Sequence, residues 1–368
     1  MSLQRFKGPI HLARKVISMR PRTSPLHLLT LCLGLVILIG AAPGAVQGQT
    51  DAPATTPVRF TFDHPLDGTA APIVLAQARG DFRAAGLSVA TDIAKGADDA
   101  IARVAAGTSD IAQADINALV RFRDKADAPP VKAVFVMFNI APYAIVARKS
   151  RGIRALADIE DKTLGVVDGD LSIRLWPALA ARNGLKVEAV KQQHIGAAVR
   201  EPMLSAGQVD AVTGFSYLSA LNLKDRGIPA DDLAVLRFAD YGGSAYGAAL
   251  VVNPQFAAAK PEAVRAFVRA VVKGIQQTAR DPAAAIDAVM ARVNGGSRDL
   301  ELERLRTVLR DNIVTAEVRH NGLGDIDNAR LIQAIDDIGV DFKFRQKPTP
   351  ADIFDPSFLP PATERQIR

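Results

Sequence analysis

Gly86-Leu87-Ser88-Val89, followed by Ala106-Gly107-Thr108-Ser109-Asp110, returns later in the chain as Gly184-Leu185-Lys186-Val187 and Ser205-Ala206-Gly207-Gln208-Val209-Asp210. The first glycine and the closing aspartate stand 24 residues apart in one copy and 26 in the other. In each copy a glycine opens an apolar strand, a second glycine closes a helix, and a buried strand follows the aspartate. Such a unit, used twice, predicts an α/β protein of two similar lobes, each a doubly wound sheet, with a cleft between them.

Working outward, Val58 to Phe62 alternates apolar and polar residues as a first strand. The loop Pro65 to Gly68 leads into a helix from Ala70. Asp98 to Ala106 places Ile101, Val104 and Ala105 on one helical face, and Ile111 to Ala114 continues as a buried strand. Val131 to Phe138 and Ala144 to Ala147 are strand-like runs separated by Asn139 and Pro142, where the chain crosses to the second lobe. It returns through the Gly/Tyr-rich stretch Asp240 to Gly247, ahead of a strand at Ala248 to Val252. Helices are expected at Pro261 to Ile275, after the cap Asp281-Pro282, at Glu301 to Arg310 and at Asn328 to Ile338. The division that follows is 57–143 for the first lobe, 144–240 for the second, 241–345 for the return with C-terminal helices, and 346–368 for a Pro-rich surface tail.

The beginning of the chain differs in character. Arg5, Lys7, Arg14, Lys15, Arg20 and Arg22 precede an apolar run from Leu28 to Ile39, the pattern of an export signal over residues 1–48, cleaved near Gly48, with Met19 as an alternative start. As a helix the run reaches only about 18 Å against a hydrocarbon core of roughly 30 Å, so a periplasmic protein is expected rather than an anchored one. Cys32, the only cysteine, lies inside that run, so the mature chain has neither disulfide nor thiol chemistry. The leader's six basic residues also account for the formal +6. What remains holds 39 bases and 39 acids, which removes the electrostatic basis for nucleic-acid binding.

In doubly wound sheets a ligand lies outside the carboxyl ends of the strands. These ends are expected at 63–69, 95–98, 115–117, 138–143, 168–172, 213–217 and 240–246. The candidate ligand-binding residues they supply are Asp63, Leu66, Thr69, Asp115, Asn139, Asp168, Ser172, Phe215, Tyr217, Asp240, Tyr241 and Tyr246. All four tyrosines of the chain fall in these segments, and a phenol combines a flat apolar face with a hydroxyl. Acids outnumber bases there, which suits a neutral or cationic heteroaromatic better than a small anion. Aspartate also caps helices at such turns, so each of these acids has two readings. Trp176 reads equally as core and as cleft.

Signatures of catalysis are absent from the sequence. His64, His194 and His320 stand apart from one another and from any metal-ligand spacing, and there is no Walker loop and no Gly-x-Ser-x-Gly elbow. Asp168-Gly169-Asp170 lacks the further ligands of a calcium loop. No catalytic residue, metal or cofactor is therefore assigned.

Longer strings carry a family resemblance: AQARGDFRAAGLSV (Ala76 to Val89), AAGTSDIAQAD (Ala105 to Asp115), LADIEDKTLGVVDG (Leu156 to Gly169), LSAGQVDAV (Leu204 to Val212) and KPEAVRAFVRAVVKGIQQTARDP (Lys260 to Pro282). Over Val58 to Ile286 the chain resembles the periplasmic binding proteins for nitrate, taurine, alkanesulfonates and thiamine pyrimidine precursors, a family shared with fungal pyrimidine synthases. The resemblance implies a type II two-lobed binding protein, monomeric, that hands a small molecule to membrane permease subunits driven by a cytoplasmic ATPase. VDAVTGFSYLSALNLKDRGIP and ADYGGSAYG are more similar to the pyrimidine-precursor binders than to the sulfonate binders, and a sulfonate- or taurine-type ligand is the alternative. In the synthase branch the protein is itself consumed, through a histidine near the first helix and a cysteine-rich run. Here Thr69, Ala70 and Ala71 stand before Pro72, and the mature chain has no cysteine. A sensor subunit presenting the same cleft is a further alternative.

Overall fold

A computed structural model describes residues 55–367 of the chain. The expected leader, 1–48, lies outside the described residues. The first sheet contains β1 (Thr56–Phe62), β2 (Leu87–Ile93), β3 (Ile111–Asp115) and β4 (Lys132–Val136). The second contains β5 (Tyr143–Arg148), β6 (Thr163–Val167), β7 (Lys191–Ile195), β8 (Ala211–Phe215) and β9 (Leu233–Arg237), and β10 (Ala248–Val252) returns to the first.

The two sheets have the same topology. The first runs β2-β1-β3-β10-β4 and the second β7-β6-β8-β5-β9. In each, three parallel strands are joined by one antiparallel strand in the fourth position. That antiparallel strand is the one through which the chain enters after crossing from the other sheet, at β5 and again at β10. Chemically the repeat rests on its aspartates. Asp110 accepts from the Arg59 backbone N–H at 2.7 Å, while its own N–H donates to the Arg59 carbonyl at 2.9 Å. Asp210 repeats the pair with Thr163 at 2.8 and 2.9 Å. Each carboxylate therefore satisfies a backbone donor on the neighbouring strand that the ladder leaves open. Asp67 and Asp170 likewise cap the turns after β1 and β6, accepting from the N–H and hydroxyl of Thr69 and Ser172 respectively.

The second copy departs from expectation in one respect. After Gly184 the chain makes a 3-10 turn, Val187–Ala189, and β7 begins only at Lys191. Leu185 and Val187 pack against the core from that turn instead of from a strand.

The helix Pro261–Arg280 runs past the expected Ile275 and lays its apolar stripe on the helix Ala71–Ala78. At Gly274 a Cβ would stand 2.3 Å from the Pro72 carbonyl oxygen, so the close approach of the two helices depends on that glycine. Asp281 caps the following helix, accepting from the Ala284 N–H at 3.0 Å. Among the described residues no helix is long and apolar enough to cross a membrane.

The Pro-rich end is not a surface tail. Ile353, Phe354, Phe358, Arg365 and Ile367 are buried. Phe354 bridges to Ala133, and the Asp355 N–H donates to the Ala133 carbonyl at 2.9 Å. Proline excludes regular structure here but not packing, and the segment covers the otherwise open edge of β4.

Candidate functional site

A cavity of about 400 Å³ lies between the carboxyl ends of the two sheets. Asp63, His64 and Asp67 line it from the segment after β1, Gly96 and Ala97 from the segment after β2, and Asp115 from the last residue of β3. Opposite them are Val167 to Leu171 after β6, Arg200, and Gly214, Phe215, Tyr217 and Leu218 at the end of β8. Strand polarity gathers these residues, since parallel strands of one sheet end on one side.

The wall after β1 is a relay of polar groups. His64 Nδ1 lies 2.6 Å from Asp63 Oδ1 and Nε2 lies 2.9 Å from the Thr69 hydroxyl, which donates to Asp67 at 2.6 Å. Burial works against a charge on His64, but Asp63 and Asp67 outweigh it and push the imidazole up to about 10. His64 is thus an imidazolium at neutral pH, donating from both ring nitrogens. Burial also works against the charge on Asp67, yet His64, Thr69 and Arg304 hold that carboxyl below its ordinary value.

The floor behaves differently. Asp115 accepts from the Tyr143 hydroxyl at 2.5 Å and from the Asn117 N–H and side-chain amide at 2.8 and 2.9 Å. Burial raises its carboxyl to about 6, against the pull of these donors. Burial, reinforced by Asp115, also lifts Tyr143 well above the usual phenol value, so it remains a donor.

Arg200 is the cation of the opposite wall, and it is engaged already. It donates to Glu201 at 2.9 Å and lies 3.9 Å from Asp170. A Cβ at Gly214 would stand 2.9 Å from its guanidinium, so that glycine gives it room. Five aspartates thus face one imidazolium and one arginine, and the cavity is net negative. Phe215 and Tyr217 supply its aromatic side, with ring centroids 5.7 Å apart and planes 39° apart.

Of the twelve candidate residues, Asp63, Asp115, Asp168, Phe215 and Tyr217 line the cavity. Thr69 and Ser172 lie directly behind it, buried as partners of Asp67 and Asp170. The others do not reach it. Leu66 packs into the core beside the first sheet. Asp240 pairs with Arg237 at 2.8 Å, and Tyr241 packs against the second core cluster. Asn139 and Tyr246 are buried where the chain crosses between sheets. The reason lies in strand position: β4 and β9 are edge strands, so their carboxyl ends open onto the crossings and not onto the cleft. Trp176 is fully buried in the core. His64, Asp67, Asp170 and Arg200 complete the lining. The first three fall in the expected strand-end segments, whereas Arg200 comes from the start of the helix Arg200–Ala206 and left no signal in the strand pattern.

The family model described as NMT1/THI5 like matches residues 68–285, more than half of the chain. The chain belongs to this family. Two relatives show its range. The NMT1/THI5-like chain is 27% identical over 298 residues to the riboflavin-binding protein RibY of Chloroflexus aurantiacus, covering 76% of this chain and 82% of that protein. It is 26% identical over 220 residues to the 4-amino-5-hydroxymethyl-2-methylpyrimidine phosphate synthase of Schizosaccharomyces pombe, covering 57% of this chain and 62% of the synthase. In fold it is similar to the periplasmic aliphatic sulphonate binding protein SsuA from Escherichia coli, with a TM-score of 0.66 at 14% identity over 83% of this chain and 94% of that one. The two-lobed periplasmic binding protein fold is thus that of the family's structural neighbours.

Proposed function

We propose that this chain is the periplasmic substrate-binding component of an ABC importer, and that it captures a small neutral or cationic heteroaromatic by closing its two lobes. The observation that carries the reading is the composition of the cavity: aromatic rings on one side, an excess of carboxylates around them, and walls contributed by both sheets. A flat ring stacks on Phe215 and Tyr217, while Asp63 and Asp115 accept hydrogen bonds from ring N–H groups or an exocyclic amine. Closure is selected because the ligand touches both walls only when they approach. The riboflavin-binding relative supports a heteroaromatic ligand. Arg200, satisfied by Glu201 and Asp170, offers a sulfonate or nitrate no free cationic clamp.

Calorimetry against riboflavin, an aminopyrimidine, taurine, an alkanesulfonate and nitrate tests this reading. Binding of a heteroaromatic with the anions silent is expected. Tight binding of a sulfonate or nitrate with silent heteroaromatics would overturn it. A synthase-like reading draws on the imidazole of His64 in the cavity wall. Mass spectrometry of the titrated samples distinguishes it, because the importer reading expects both ligand and protein to be recovered with unchanged mass.

A further inference from the structure

We infer that Arg330 is a positioning residue that sets the geometry of lobe closure by clasping both segments through which the chain crosses between the sheets. The inference rests on the proposed capture between lobes but concerns residues remote from the ligand.

The crossings, between β4 and β5 and between β9 and β10, run side by side. The Gly247 N–H donates to the Phe138 carbonyl at 2.9 Å, and the Ala141 N–H to the Ala245 carbonyl at 3.1 Å. Arg330, on the helix Asn328–Asp341, spans both. It donates to the Asn139 carbonyl at 2.5 Å and to the Asn139 side-chain oxygen at 3.3 Å. On the second crossing it reaches the Ser244 carbonyl at 2.9 Å and the Ala245 carbonyl at 3.2 Å. Its guanidinium lies 3.9 Å from the centre of the Tyr246 ring, and Glu317 holds it from behind at 2.7 Å. A planar fork of five donors fills this arrangement, whereas a lysine ammonium cannot reach carbonyls on two segments while stacking on a ring.

A short chain of contacts links the clasp to the cavity. The Asn117 side-chain amide donates to the Tyr246 carbonyl at 2.6 Å and to the Tyr143 hydroxyl at 3.1 Å, and Tyr143 donates to Asp115 on the cavity floor. Tyr143 opens β5 in the second sheet, and Asp115 closes β3 in the first. The bond between them therefore spans the two sheets beside the crossings, and a ligand that engages Asp115 acts on a group bonded to the segment that must rotate.

The test measures lobe separation in the ligand-free protein, so it is independent of which ligand binds. Spin labels are placed at Ser88→Cys and Lys191→Cys, on the outer strands of the two sheets, in a Cys32→Ser background. Distance distributions are then recorded for the parent, Arg330→Lys and Glu317→Gln. A broadened or shifted distribution is expected for Arg330→Lys, with a smaller change of the same kind for Glu317→Gln, in which the clasp stays but loses its charged anchor. If Arg330→Lys does not fold, the Glu317→Gln distribution decides alone. A lower melting temperature with distributions identical to the parent would reduce Arg330 to ordinary packing and overturn the inference. If the parent binds none of the calorimetric panel yet the distributions shift as expected, the hinge role stands and only the ligand reading falls.

Discussion

At pH 8, Asp115→Asn is expected to melt at a higher temperature than the parent protein while binding a cationic heteroaromatic about 10- to 100-fold more weakly. The two effects share one cause. Burial raises the Asp115 carboxyl to about 6, above the value of about 3.9 for an unfolded aspartate. The folded state thus holds the proton more tightly, and this group's contribution to stability is complete below about pH 4 and is lost as pH rises through 6. At pH 8 the ionised carboxylate then costs on the order of 3 kcal/mol. Asparagine removes that cost and keeps the helix cap with the Asn117 N–H, and the Tyr143 hydroxyl turns from donor to acceptor. Binding moves the other way, because a hydrogen bond to a charged group contributes about 1.5–3 kcal/mol, or one to two decades in affinity. The parent's affinity for a cation should also fall as pH drops through 6, and the variant's should not. Thermal melts and calorimetry at pH 5 and pH 8 check both halves. A destabilised variant with unchanged affinity would assign Asp115 to architecture alone.

Phe267→Ala should destabilise the protein by about 3–5 kcal/mol while leaving ligand affinity of the folded fraction unchanged. The Phe267 ring is fully buried, with centroids 5.3 Å from Phe60 on β1 and 4.8 Å from Phe82. It fastens the helix Pro261–Arg280 to the first sheet, and the close approach at Gly274 leaves the neighbouring backbone little room to collapse into the space an alanine would leave. The cavity residues Asp63, His64 and Asp67 follow β1 at its far end, so the lost volume lies in the core and not at the ligand. Urea unfolding checks the size of the effect, and a loss below about 1 kcal/mol would mean that the site repacks.

What could be read from the sequence was local and periodic. The stripe Val264, Phe267, Val268, Val271 and Ile275 announces an amphipathic helix without reference to anything else in the chain, and the paired glycines and aspartates of the repeat mark turn and strand-start chemistry that recurs wherever that geometry recurs. The cavity was legible through its central strands, because the residues after β1, β3, β6 and β8 must emerge on one side of their sheets. Strand order was not legible. Nothing in the residues around Asn139 or Tyr246 declares that the preceding strand is an edge, and so two buried residues of the crossings read as ligand contacts. Arg330 is remote in sequence from Asn139 and Ser244, and the clasp exists only once both crossings are folded. The Pro-rich end misled for a related reason: proline reports the local backbone, while the burial of Ile353, Phe354 and Phe358 depends on where β4 leaves an open edge.

Small-angle scattering of the protein, alone and saturated with the tightest binder of the calorimetric panel, addresses capture between the lobes most directly. The account predicts a smaller radius of gyration in the saturated sample, because ligand contacts on both walls favour the closed arrangement. An unchanged radius at proven saturation would contradict it.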